Sequence, residues 1–159
     1  MKHSHDLSTL SWTVEGYTPY LWLFEWRHGV GFGSQTRCLD VAPVPARVPG
    51  SVQGALRAAG VLPDWHVGVD ARQCEWVEHR HWMYRTRLPD AWLDGAAQVR
   101  LECQGLDYAG WVCLNGREVG AFRGTHVPHT FDLTPHLQPA DNEVEIGRAS
   151  CRERVFRVV

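Results

Sequence analysis

The stretch Trp111-Val112-Cys113-Leu114-Asn115-Gly116-Arg117-Glu118-Val119 constrains this chain more than any other. Two apolar runs flank an Asn-Gly pair, and a two-residue hairpin turn of type I′ needs positive φ at both central positions, which Asn and Gly tolerate best. An antiparallel hairpin is therefore expected. In Met83-Tyr84-Arg85-Thr86-Arg87-Leu88 polar and apolar residues alternate as a half-buried strand requires. The same punctuation of short runs by Gly, Pro, Asn and Asp predicts strands at Leu10 to Glu15, Leu21 to Glu25, Ala46 to Val48, Trp82 to Leu88, Gln98 to Gln104, Gly110 to Leu114, Glu118 to Phe122, His129 to Leu133 and Glu143 to Glu145. One helix is expected, at Ser51 to Gly60, with Ser51 as N-cap, Val52, Leu56 and Ala59 near one face, and Gly60 as C-cap. The Pro-containing run Val41 to Pro49 reads as a connection. One helix among so many strands makes the fold class all-β, a β-sandwich.

At 159 residues there is room for one domain that buries roughly 70% of its unfolded surface. A formal charge of −2 with no basic stripe argues against nucleic acid as partner. Residues Met1 to Leu10 lack an apolar core and no run of about 18 apolar residues occurs, so no signal peptide, no spanning helix and a cytoplasmic location are expected. Five Cys without a C-x-x-C pair read as reduced thiols rather than a disulfide framework or zinc knuckle. Eight Trp are the compositional outlier. They either fill a core or pave a surface that stacks on flat ligands such as sugars.

The end of the chain departs from this pattern. Residues Ile146 to Val155 read IGRASCRERV and follow the strand ending Asn142-Glu143-Val144-Glu145 without a turn signal. The decapeptide resembles the translation of a widely used short-read sequencing adapter. The expectation is a sandwich domain over residues 1–145 and a non-native tail over 146–159, which makes Cys151 and Arg148, Arg152, Arg154 and Arg157 foreign. Without the tail the chain carries 12 basic and 17 acidic residues, formally −5.

A series of motifs resembles a known family. They are Val48-Pro49-Gly50-Ser51-Val52-Gln53, Leu62-Pro63-Asp64-Trp65, Glu75-Trp76-Val77-Glu78, Trp82-Met83-Tyr84-Arg85, Gly105-Leu106-Asp107, Leu114-Asn115-Gly116, Phe131-Asp132-Leu133-Thr134 and Asn142-Glu143-Val144. In this order, over roughly residues 40–145, they resemble the N-terminal domain of glycoside hydrolase family 2 in its β-mannosidase-like branch. The resemblance implies a jelly-roll, galactose-binding-like sandwich. It also implies two partner domains in the same parent chain, an immunoglobulin-like domain and a TIM barrel that holds both catalytic glutamates.

Retaining hydrolysis needs two carboxyl groups about 5–5.5 Å apart, and a barrel to hold them takes about 250 residues. No catalytic residue is therefore expected here, and the fragment of a retaining exo-glycosidase is expected to be inactive. Glu75 and Glu78, on a segment read as extended, would face opposite sides. His79, His81, His126 and His129 lack a matching ligand cluster, so no metal and no cofactor are expected. Trp82, Tyr84 and Trp111 are expected in the core. Trp65, Trp76, Glu78 and Asp107 are the candidates for contact with carbohydrate or with the barrel, and at the end of a strand the Asp107 carboxylate is expected to accept backbone N–H bonds. The alternatives in other classes are a free-standing carbohydrate-binding module and a purely structural interdomain sandwich.

Overall fold

The computed structural model describes residues 3–18, 39–66 and 68–148. Eight strands are present among them: β1 (Trp12–Tyr17), β2 (Leu39–Ala46), β3 (His81–Arg87), β4 (Arg100–Cys103), β5 (Ala109–Leu114), β6 (Arg117–Arg123), β7 (His129–Asp132) and β8 (Glu143–Arg148). They form an antiparallel six-stranded sheet in the order β2-β1-β3-β8-β5-β6 and a two-stranded sheet, β4-β7. The strand expected at Leu21 to Glu25 lies outside the described residues. All-β architecture is as expected, and the Asn-Gly hairpin is present. Asn115 and Gly116 take φ of 54° and 74° between β5 and β6, the left-handed pair that this turn requires.

The core lies between the sheets. Alternation sends Trp12 and Val14 of β1, Trp82 and Tyr84 of β3, Val112 and Leu114 of β5 and Val144 and Ile146 of β8 inward. Leu101, Cys103 and Phe131 meet them from the small sheet. The helix α1 (Val52–Ala58) closes part of the cavity with Val52, Ala55 and Leu56. Ser51 caps it by accepting from Gly54 N–H at 3.0 Å, as expected. Ala59, expected on the apolar face, is exposed because the helix ends at Ala58 and Ala59 is its C-cap, while Ala55 joins Val52 and Leu56 on the buried stripe. The described residues also hold a four-residue helix α2 (Asp90–Leu93) and 3-10 segments at Leu7–Thr9, Asp70–His79 and Thr134–His136.

Three local expectations give way. The run read as a connection is largely β2 itself, in which Pro45 stands opposite Thr13 and Val44 opposite Val14. Pro lacks an N–H and is tolerated where a strand is an edge, and among the described residues β2 is the outer strand of the large sheet. Glu75 and Glu78 are not on an extended segment. They lie in the 3-10 turns of Asp70–His79, where residues three apart stack on one side. Trp111 alternates away from the core and is half-buried on the outward face of the large sheet, where it tilts against His81 at 5.8 Å.

Candidate functional site

Register brings several segments to one end of the large sheet. Tyr17 pairs with His81 and Leu39, Arg148 with Trp82 and Gly110, and Arg123 with Ala109. The β4–β5 and β6–β7 loops therefore open at the same end as the start of β3 and the end of β8. Gly110 admits β8 here, since a Cβ would lie 1.9 Å from the Gly147 carbonyl oxygen. Within this end Asp107 is 1% exposed. Its Oδ1 accepts from Thr125 Oγ1 at 2.8 Å, and its Oδ2 lies 3.9 Å from Arg148 Nη2. The expected backbone N–H donors are replaced by a hydroxyl and a guanidinium, because the β6–β7 loop and β8 reach the carboxylate first. The next residue, Tyr108, is exposed and accepts a long 3.4 Å bond from Arg123 Nη2, with the guanidinium 5.6 Å from its ring. Gly124 N–H donates to the Tyr108 carbonyl at 2.6 Å, and Val127, 51% exposed, packs beside Gly124. An aromatic ring, a cation and an aliphatic group thus stand together on loops braced from beneath by Asp107. Tyr and Arg are among the residue types enriched at interface hot spots.

The other candidates are distributed differently. Trp76 is half-buried against the core, with its ring 6.2 Å from Trp82 and the Arg80 guanidinium 6.0 Å away. Arg80 in turn pairs with Asp40 of β2. Glu78, nearby on the same 3-10 segment, is exposed. Trp65 is half-buried beneath Arg57, whose guanidinium lies 5.2 Å from its ring and which pairs with Asp64 at 2.6 Å. One indole face is thereby covered.

A second cluster, absent from the sequence expectations, occupies the outward face of the large sheet. Arg85 of β3 donates through Nε to Glu15 at 2.5 Å, through Nη1 to Glu143 at 3.2 Å and also to Glu145, and through Nη2 to Tyr17 Oη at 3.3 Å. The Tyr17 hydroxyl donates to Glu15 at 2.5 Å. Glu15 and Glu145 are buried. Burial raises the Glu145 carboxyl above its usual range while Arg85 pulls it down. Burial also pushes the Tyr17 phenol up to about 12, with help from Glu15. For Arg85 burial disfavours the charge, yet Glu145, Glu15 and Tyr17 outweigh it and hold the guanidinium protonated. The sequence signal is the period-two recurrence of Glu15/Tyr17, Arg85/Arg87 and Glu143/Glu145, which only the strand order β1-β3-β8 brings together. Beside this cluster His81 is fully buried, and burial lowers its pKa to about 4.

No group of three or more His, Cys, Asp or Glu side chains that could hold a metal ion occurs among the described residues, and no described helix is long and apolar enough to cross a membrane. Cys74, Cys103 and Cys113 are free thiols. Burial raises Cys103 to about 12 and is the first of the effects that raise Cys113, to which Glu145 and Glu118 add.

Comparison with known proteins accords with the geometry. Residues 27–155 match the family model described as the glycosyl hydrolase 2 galactose-binding domain-like family. The chain is 30% identical over 105 residues to "Beta-mannosidase B" of Aspergillus clavatus, a match that takes in 65% of this chain and 12% of that protein. It is 31% identical over 115 residues to "Beta-mannosidase B" of Aspergillus terreus, covering 70% and 14%. Among solved structures, the β-D-mannosidase from Dictyoglomus thermophilum superposes with a TM-score of 0.64 at 23% identity over 88% of this chain and 15% of that one. The exo-chitosanase of Amycolatopsis orientalis gives 0.69 at 16% identity over 92% and 17%. At these identities the structures share a fold with the chain. The chain spans about an eighth of the length of the curated relatives.

Proposed function

The chain belongs to the glycosyl hydrolase 2 galactose-binding-like domain family, and from that premise we propose that it is the N-terminal, non-catalytic sandwich of a longer β-mannosidase-like exo-glycosidase of carbohydrate catabolism. The observation that carries this reading is the identity of about three residues in ten to β-mannosidases of which the chain spans about an eighth. The chemistry of retaining hydrolysis, two carboxyl groups about 5–5.5 Å apart on a rigid scaffold, would belong to the remainder of the parent chain. In this reading the barrel and the immunoglobulin-like domain are the partners of the sandwich. The reading places them against the sheet end where β8 finishes, with Tyr108, Arg123 and Val127 as contacts and Asp107 holding that loop from beneath. Trp65, Trp76 and Glu78 are the remaining candidates for contact with the barrel rim or a sugar. A cytoplasmic location fits Cys74, Cys103 and Cys113 being free thiols.

Residues 146–159 are in this reading a tail not encoded by the parent gene. Ile146, Gly147 and Arg148 complete β8, paired with β3 on one side and β5 on the other. Amplification of the source DNA across codon 145 tests this directly, and continuation in frame into IGRASCRERV overturns it. For the activity, incubation with aryl β-mannoside, β-galactoside and β-glucuronide is expected to release no phenol. Measurable hydrolysis of any of the three overturns the assignment of this domain as non-catalytic.

A further inference from the structure

The Asn-Gly pair that sets the hairpin is also the most reactive dipeptide step in the chain. In an open chain the Gly116 nitrogen attacks the Asn115 side-chain carbon Cγ. The Cγ–Nδ2 bond breaks, ammonia leaves with the proton from Gly116 nitrogen, and a cyclic imide remains. Water then opens the ring. Cleavage between the Gly116 nitrogen and Cγ gives aspartate, and cleavage between that nitrogen and the Asn115 main-chain carbonyl carbon gives isoaspartate. Glycine offers no side chain to hinder the attack.

The fold holds both reacting groups apart from this path. Asn115 Nδ2 donates to the His136 carbonyl at 3.1 Å and to Asn142 Oδ1 at 2.9 Å, while Asn115 Oδ1 accepts from Glu143 N–H at 2.9 Å. The anchor is firm, since Asn142 is fully buried and exchanges two 2.8 Å bonds with the Gln138 main chain. Asn115 N–H donates to the Glu143 carbonyl at 3.0 Å, and the Gly116 N–H is turned to the Glu145 carboxylate. Cγ therefore cannot swing onto the Gly116 nitrogen without breaking three side-chain bonds, one of them to a buried amide.

We propose that Asn115–Gly116 is a conformation-gated modification site, inert while the hairpin is closed and converted to aspartate or isoaspartate whenever it opens. The conversion is self-reinforcing. A carboxylate at position 115 loses both Nδ2 donor bonds and faces the His136 carbonyl and Asn142 Oδ1 as an acceptor against acceptors, an unfavourable arrangement in a half-buried site. Isoaspartate adds a main-chain atom and destroys the turn. Each opening that ends in reaction leaves a hairpin that closes less well, so the site records unfolding irreversibly.

The test is peptide mapping by mass spectrometry of the 159-residue chain held at mildly alkaline pH, folded in buffer and unfolded in urea. Conversion at Asn115 is expected to be slower in the folded protein by roughly a factor of ten or more, the ratio being set by how seldom the hairpin opens. Equal rates overturn the proposal. Increasing urea below the unfolding transition is expected to raise the folded-state rate in step with local opening, read by amide hydrogen exchange at residues 113–118. Asn142→Ala removes one anchor and is expected to accelerate conversion under native conditions. Gly116→Ala is expected to slow it in urea, which identifies the Gly116 nitrogen as the attacking group, and an unchanged rate there also overturns the mechanism.

Discussion

Both faces of the six-stranded sheet bury side chains, and they do so by opposite chemistry. The inward face packs Trp12, Val14, Trp82, Tyr84, Val112, Leu114, Val144 and Ile146, which need only be apolar and complementary in shape. The outward face buries Glu15, His81, Met83, Cys113 and Glu145, with Arg85 shared among three carboxylates and a phenol. Removing a group inside leaves a cavity, whereas removing one outside strands charges. The difference teaches that strand alternation sets the side on which a residue lies and says nothing about whether that side is wet.

The largest loss is expected at Trp82, on the inward face. Its ring fills the core and its indole N–H donates to the Val77 carbonyl at 2.9 Å. Trp82→Ala is expected to cost about 3–5 kcal/mol, read as a lower urea midpoint with unchanged slope. A loss below 1 kcal/mol would show that the inward face is not the principal core. On the other face, Arg85→Ala leaves three carboxylates around a partly buried space and is expected to cost about 3 kcal/mol. Adding Glu145→Gln to that variant is expected to restore part of the loss, as a coupled pair should, and strict additivity would refute the shared-cation description.

The outward face also carries a pH signature. The buried His81 has a folded-state pKa near 4, below its unfolded value of 6.5, so the unfolded chain takes up a proton first. Its contribution is complete above about pH 6.5 and is lost as the pH falls toward 4, on the order of 2–3 kcal/mol. Glu145 works in the opposite sense, because a raised carboxyl is more costly to ionise in the folded state and its burden is relieved as acid protonates it. Stability followed by urea titration between pH 7 and 4 is expected to fall in the wild type, and His81→Gln is expected to flatten that fall. The smallest effect belongs to neither face. Arg57→Ala breaks an ion pair whose side chains are each 43% exposed, and a change of under about 1 kcal/mol is expected in thermal unfolding.

Much of the scaffold was legible because it rests on local rules. The Asn-Gly turn follows from positive φ, the Ser51 cap from an unsatisfied N–H, and the inward Trp82 and Tyr84 from period two. Other features were not local. The prolines of β2 lie in the outer strand of the described sheet, a property of sheet order. Glu75 and Glu78 share a side because their segment coils. Trp111 leaves the core through the register of β5 on β8, which puts Val112 opposite Ile146. The candidate end was half legible. Asp107 was singled out, yet Thr125, Arg148, Tyr108 and Arg123 stand beside it only through pairings among β5, β6 and β8.

By itself, then, the sequence determined the class of fold, the hairpin, the helix cap and the family. Each depends on conformational preferences or motifs spanning a few residues. Only the tertiary structure decided that Arg85 would serve carboxylates from two other strands. It also decided that Asn142 would lock the one turn the sequence announced most clearly. Those contacts join residues 27 to 70 positions apart, and the order and register of strands, which no local preference encodes, bring them together.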